Sequence, residues 1–505
     1  MCVATPTADG DGSPRVVIIG GGITGLAAAH RLTTYLPQAR VTLLEQDARL
    51  GGKIITERRE GFLIEGGPEA LLTVKPAGAL CADLGLGPAL QAPRPESRRS
   101  YILRDGQLQP LPDGLGNLTP TQIWPLVTTP IISPLGKLRM GLDLVLPRRR
   151  DPGDESLAHF IERRLGREAY AWLVNPLVGG IYAADGHRLS LAATFPHLRR
   201  LEQEHGGMIR GTLAARRQAP PAKGGGRPAP FQAPRGGLSE LVDALAARLR
   251  AADVRVETAS AASAVRRRGQ GYAVSRASGE TEWADAVICA APAPAAATLL
   301  AGLDPRLTEH LRAIPHASVT TLALAYPRQA IPHPLAGSGY LTPRAERRPV
   351  RACTWVSAKW AGRAPEDASL LRVSFGGAGQ SEISDASDDD LLRLAREEVR
   401  AVLGVTAPPR FTRVFRWPQA MPQYEVGHLE RLSGIDACLD DSPNLALAGN
   451  AYRGVGVADC LQSGEQAADR LITYFASRGV AAQPEASPRS SRWDRCSPPP
   501  PCSVR

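Results

Sequence analysis

The stretch Arg15–Glu45, RVVIIGGGITGLAAAHRLTTYLPQARVTLLE, decides the fold. It reads as strand, glycine turn, helix and strand. The turn is Gly20-Gly21-Gly22-Ile23-Thr24-Gly25, and the second strand ends on an acid, Glu45, followed by Gln46. Gly20 permits a tight turn out of the first strand. Gly22 has no Cβ, so a pyrophosphate can approach its backbone, and Gly25 allows the helix to pack closely. The helix start offers free N–H groups and a positive dipole end for phosphates. Glu45 suits a ribose diol, which favours FAD or NAD over a 2′-phosphorylated cofactor.

Two more glycine turns separate FAD from NAD. Arg49-Leu50-Gly51-Gly52-Lys53 follows the acid directly, and Phe62-Leu63-Ile64-Glu65-Gly66-Gly67-Pro68-Glu69-Ala70 comes next. The first of these can wrap the longer FAD molecule. The second brings bare backbone against a flat ring. NAD-binding domains usually proceed to another βα unit instead. The order of the three turns predicts FAD.

The chain has 505 residues, enough for two or three domains. Its 43% hydrophobic and 22% charged residues are ordinary for a globular protein. The net charge of +10 suits an acidic substrate or an anionic surface, although an arginine-rich composition explains it equally well. No interleaved basic and aromatic surface suggests nucleic acid. The eight cysteines form no CxxC pair and no metal-ligand spacing, which predicts no metal and a reduced, cytoplasmic compartment. No signal peptide and no apolar run of membrane-spanning length is evident. Nothing identifies an obligate protein partner.

The predicted organisation is an α/β, Rossmann-like nucleotide-binding domain with a mixed β-sheet substrate domain and a helical subdomain. Residues 1–14 read as a disordered lead. The nucleotide-binding domain is discontinuous over 15–83, 231–292 and 411–475, because the chain returns to its sheet with AVICAAP and again with LALAGN before the late turn GVGVADC, Gly454–Cys460. Residues 84–215 form the helical, substrate-entry subdomain, with an N-capped amphipathic helix at Ser156–Arg164. The apolar, proline-broken run Ile123–Leu135 predicts a packed loop, with a membrane-facing or entry loop as the alternative. Residues 216–230, RRQAPPAKGGGRPAP, read as a linker, 293–410 as the substrate domain, and 476–505 as a disordered tail.

With RLGGK, the GGP turn, NPLVGGIY at Asn175–Tyr182, Met421-Pro422-Gln423-Tyr424 and GVGVADC in this order, the chain resembles the porphyrinogen oxidases, flavin enzymes of the amine oxidase superfamily. The resemblance covers residues 15–475. MPQYEVGH and Cys353-Thr354-Trp355 make it similar to the soluble Gram-positive-type branch, which oxidises coproporphyrinogen III. The resemblance implies FAD contacts at Gly20–Gly25, Glu45, Gln46, Lys53, Gly67, Pro68, Glu69, Ala70, Ala262, Trp417, Val455, Gly456 and Val457. It places Lys75, Ile181, Ser374 and Phe375 on the substrate side, Ser374 standing where that branch can carry tyrosine. The implied reaction is the oxygen-dependent, six-electron oxidation of coproporphyrinogen III to coproporphyrin III in haem biosynthesis, with three O₂ reduced to H₂O₂. Oxidation of protoporphyrinogen IX to protoporphyrin IX is the alternative.

In such a reaction the flavin carries the chemistry, so no catalytic side chain is expected. Cations should hold the substrate propionates. Lys75 leads, followed by Arg94, Arg98 and Arg99. His187 and His197 are candidates for proton transfer, against an ordinary surface or core role. Cys460 follows the late glycine turn rather than preceding it, which predicts non-covalent FAD. An amine oxidase or desaturase is a rival reading, but Trp417 is the one evident candidate for an aromatic cage. A non-catalytic carrier on the same fold would have lost the glycine turns that this chain keeps.

Overall fold

The computed structural model describes residues 13–73, 76–113, 115–116, 118–120, 124–218 and 230–483. Residues 1–12 of the predicted lead, most of the linker, the end of the tail, Ile123 and Lys75 lie outside the described residues.

Arg15–Ile19, the first strand, alternates between two cores. Val16 and Ile18 pack with Leu26, Leu32 and Leu461, whereas Val17 and Ile19 pack with Val274, Val287 and Leu307. A strand buried on both faces needs an unbroken apolar run, which RVVII supplies. It lies at the centre of a parallel five-stranded sheet in the order Arg255–Glu257, Arg40–Leu44, Arg15–Ile19, Ala286–Cys289, Leu445–Leu447. Helices Ile23–Tyr35 and Val457–Ala476 cover one face. They cross at Gly464, where a Cβ would lie 2.2 Å from the Thr24 carbonyl oxygen. The Arg31–Asp469 ion pair (2.7 Å) pins the same crossing.

A second, seven-stranded sheet stands beside the first. Its order is Phe411–Pro422, His316–Pro327, Ala368–Gly376, Val350–Trp355, Gly339–Leu341, Tyr101–Arg104, Gln107–Pro110. Two segments fall differently from the sequence reading. Phe411–Pro422, read as nucleotide-binding, is the edge strand of this sheet. Tyr101–Arg104, read as part of the helical subdomain, pairs in parallel with Gly339–Leu341. Both are alternating or mixed runs whose partners lie far away in sequence, so local pattern does not reveal their sheet.

The helical layer is built around Leu157–Leu165, capped by the Ser156 hydroxyl, which accepts from His159 N–H (3.2 Å). Arg164 in this helix is fully buried and paired with Asp143 at 2.5 Å. The Ile123–Leu135 run divides in two. Ile131 and Ile132 are buried, but Trp124 is 74% and Leu135 80% exposed. Leu138 and Val145 extend that exposed apolar surface, so the packed-loop expectation holds only for its centre. No described helix is long and apolar enough to cross a membrane.

Candidate active site

A cavity of about 2090 Å³ opens between the two sheets. Its nucleotide end is made of backbone. Gly20 takes φ +109°, and a Cβ there would touch the Ala290 carbonyl oxygen at 3.0 Å. Gly22 and Gly51 face each other in a parallel bridge, and Gly51 N–H donates to the Gly21 oxygen at 2.8 Å. The nearest atom to a Cβ on Gly22 would be Gly52 Cα at 4.0 Å, so space is left where a phosphate would lie. No side chain caps the helix that starts at Ile23, whose N–H groups open on this space. Glu45 is buried and accepts from Gly21 N–H (2.7 Å) and Asp47 N–H (2.8 Å). Those bonds fix its carboxylate on the cavity wall and leave lone pairs for a diol.

The third turn is shaped by equally close contacts. A Cβ on Gly67 would fall 1.8 Å from the Lys53 carbonyl oxygen. Trp417 Nε1 donates to the Gly66 oxygen (2.9 Å), and the Thr321 hydroxyl donates to the same oxygen (3.0 Å). Burial pushes the Lys53 ammonium pKa down, opposed by the nearby Cys460. Across the cavity, helix Val457–Ala476 starts at Gly456, whose N–H donates to Asp459 at 3.1 Å. Gly454 N–H donates to the Tyr424 hydroxyl (2.8 Å), which donates in turn to the Asn450 oxygen at 2.5 Å. Tyr424 also stacks on His428, with centroids 4.2 Å apart.

Most residues named from the sequence meet on this cavity. Gly20, Gly22, Ile23, Thr24, Glu45, Gln46, Lys53, Gly67, Pro68, Ala70, Ala262, Trp417, Val455, Gly456 and Val457 line it. Ile181, Ser374, Phe375 and His197 line its other end. Gly21 and Gly25 shape the turn without joining the wall, since a Cβ on Gly25 would lie 1.9 Å from the Gly20 oxygen. Glu69 also departs from the expectation. It stays off the cavity wall, and its carboxylate is paired with Lys359. Burial raises its pKa, but Lys359 and Arg372 outweigh that and hold it low. Arg94, Arg98 and Arg99 are exposed and outside the wall, and His187 is an exposed residue against Tyr170. Lys75 lies outside the described residues.

Sequence reasoning missed Arg351 and Arg372, both on the wall of the substrate end. The available signal was a lone charge inside each of two apolar strands, VRACTW and ASLLRVSFG. It also missed Tyr182 and Tyr424, which line the cavity side by side with centroids 6.3 Å apart.

A three-turn nucleotide cradle joined to a large second chamber defines a flavoprotein oxidoreductase. The chain belongs to the flavin containing amine oxidoreductase family, which matches residues 23–472. It is 37% identical to a coproporphyrinogen III oxidase of Propionibacterium freudenreichii subsp. freudenreichii, covering 97% of each chain. It is 36% identical to that of Bacillus subtilis (strain 168), covering 92% of this chain and all of the relative. A crystal structure from Exiguobacterium sp. 255-15, provisionally assigned as a protoporphyrinogen oxidase, superimposes with TM-score 0.80 at 30% identity, covering 92% of this chain and 99% of that one. The backbone cradle around Gly22, Gly51 and Gly67 fits the flavin that the family implies.

Proposed function

We propose that this protein oxidises coproporphyrinogen III to coproporphyrin III with O₂, using non-covalently bound FAD. The observation that carries the reading is the single cavity that joins a dinucleotide cradle to a chamber lined by arginines of the second sheet. Its two ends match a dinucleotide cofactor and a bulky polycarboxylate. The family relatives named for coproporphyrinogen support the choice of substrate.

When bound, the flavin supplies the two-electron acceptor for each of three oxidation steps. The protein supplies position. Gly20–Gly22 and the helix start at Ile23 hold phosphates, and Glu45 holds the ribose. Gly67, Pro68 and Trp417 form one side of the ring slot, and the late helix start at Gly456 forms the other. Arginines set the substrate's orientation through its carboxylates. Burial pushes the Cys460 thiol up to about 11, so it stays protonated and is a poor nucleophile toward the ring. We place the protein in the cytoplasm. The exposed surface of Trp124, Leu135, Leu138 and Val145, beside Arg148 and Arg150, suits peripheral contact with an anionic membrane.

Two measurements test the reading. Turnover of coproporphyrinogen III should yield H₂O₂ and coproporphyrin in a ratio of three to one, and a ratio near one would contradict a complete six-electron oxidation. Acid precipitation should release the yellow cofactor as FAD. Flavin left in the pellet would overturn the non-covalent assignment.

A further inference from the structure

Arg372 is a half-buried cation that faces Glu69 electrostatically but forms no ion pair or hydrogen bond among the described residues. Its strand, Ala368–Gly376, is otherwise apolar apart from two serines, and its guanidinium lines the cavity. Among the described residues it makes no hydrogen bond and no ion pair, and its Nε is fully enclosed with no acceptor. The two nearest acids are committed elsewhere. Glu69 is paired with Lys359. Glu65 accepts from the Thr56 hydroxyl (2.8 Å) and from Leu238 N–H (2.8 Å). Burial therefore lowers the Arg372 pKa, opposed by Glu69 and then Glu65.

Arg351 repeats the pattern one strand away. Its Nε donates to Gln380 Oε1 at 2.5 Å, and both terminal nitrogens make no hydrogen bond among the described residues. Burial first, and Arg344 second, push it down to about 10. By contrast, Arg416 on the same cavity is occupied by the Ser384 and Ala386 carbonyls and by Asp388. Ser374 lies between the two arginines. It shares a face of its strand with Arg372, two residues away, or about 7 Å. It pairs with Ala352, next to Arg351, at a register shift. A charge withdrawn from water without an ion pair is costly, and proteins usually pair it. Two half-buried guanidiniums on one chamber wall, with terminal nitrogens that make no hydrogen bond among the described residues, suit carboxylates.

We propose that Arg351 and Arg372 form a two-point carboxylate clamp, flanking Ser374, that binds two propionates of the tetracarboxylate porphyrin. The clamp rests on the porphyrinogen oxidase reading and adds its charge selectivity. It also supplies the polar contact that a tyrosine at 374 would otherwise make. The carboxylates that a protoporphyrin lacks are the ones such a clamp would reward.

The test is equilibrium binding of coproporphyrin III to the flavin-loaded enzyme, followed by porphyrin fluorescence, with coproporphyrin III tetramethyl ester as the uncharged probe. Arg372→Gln and Arg351→Gln should each weaken coproporphyrin binding ~10–100-fold, the worth of a charge-assisted contact. Ester affinity and flavin occupancy should not change. Arg372→Lys and Arg351→Lys keep the charge but lose the planar fork, and should recover part of the affinity. They also serve if a glutamine variant fails to fold. Coproporphyrin affinity within twofold of wild type in the variants would overturn the clamp. So would an equal loss of ester binding, or loss of flavin in place of porphyrin. If the wild type binds neither porphyrin, the functional reading itself fails, a result distinct from failure of the clamp alone.

Discussion

Adding one methyl group to each of two glycines should separate the shape of the apoprotein from the space kept for the cofactor. In Gly67→Ala the new Cβ would lie 1.8 Å from the Lys53 carbonyl oxygen, while real Cβ contacts essentially never fall under 3.0 Å. One backbone must therefore retreat by at least 1.2 Å, the difference between those two distances. Gly66 next door is tied by three bonds. Its N–H donates to the Ile55 oxygen (2.9 Å), and its oxygen accepts from Trp417 (2.9 Å) and Thr321 (3.0 Å). A bond of that length stretched by about 1 Å is no longer a hydrogen bond. Overpacking costs ~1–3 kcal/mol and each lost bond ~0.5–1.5 kcal/mol, so the apoprotein should lose about 2–4 kcal/mol. Gly22→Ala differs, because its Cβ meets nothing nearer than 4.0 Å and its φ of −69° suits alanine. Apoprotein stability should stay within about 0.5 kcal/mol of wild type. The methyl would occupy the phosphate's place, so flavin affinity should fall ~10-fold or more. Urea unfolding of both apoproteins and titration with flavin, read by fluorescence quenching, give the four numbers. A stable Gly67→Ala apoprotein, or a Gly22→Ala variant that binds flavin like wild type, would refute the reasoning.

Three further outcomes are expected. Glu45→Gln removes the charge from the bonds to Gly21 and Asp47 N–H and from the proposed ribose contact. It should weaken flavin binding by about 1.5–3 kcal/mol, and unchanged retention on a desalting column would contradict that role. Arg164→Met strands the fully buried Asp143, its partner at 2.5 Å, and should cost ~3–5 kcal/mol by urea denaturation. The double variant with Asp143→Leu should recover part of that loss. His428 is buried, with Nε2 against the Tyr452 oxygen at 2.9 Å, and burial pushes its pKa down from 6.5 to about 4. The unfolded chain takes up the proton first, so the contribution is whole above pH 6.5 and is lost as pH falls toward 4. It amounts to at most about 3 kcal/mol. Stability profiles of wild type and His428→Gln should converge across that window, and parallel profiles would refute the assignment.

How legible the molecule was in its sequence depended on how local each signal is. The glycine turns were readable because Gly20, Gly22, Gly51 and Gly67 fall in short glycine-rich motifs in a fixed order, although the atoms that exclude a Cβ, Ala290 at Gly20 and Lys53 at Gly67, are not local. The parallel sheet was readable because RVVII, RVTLL and AVIC are short, predominantly apolar runs rich in β-branched residues. The edge strand Phe411–Pro422 was not, since its alternation, FTRVFRWPQAMP, does not say which sheet it joins. Glu69 looked like part of the cofactor turn, but its side chain was settled by Lys359, 290 residues away. Arg351 and Arg372 hid among many arginines. Their meaning comes from what does not face them, and only the packed chamber reveals that.

The most direct test offers the purified, flavin-loaded protein coproporphyrinogen III and, separately, protoporphyrinogen IX in air, and follows porphyrin fluorescence. Turnover of the tetracarboxylate should be faster, because the arginine-lined chamber rewards its two additional propionates. Preference for protoporphyrinogen would contradict the substrate assignment, and fluorescence no higher than the autoxidation control with both would contradict the function.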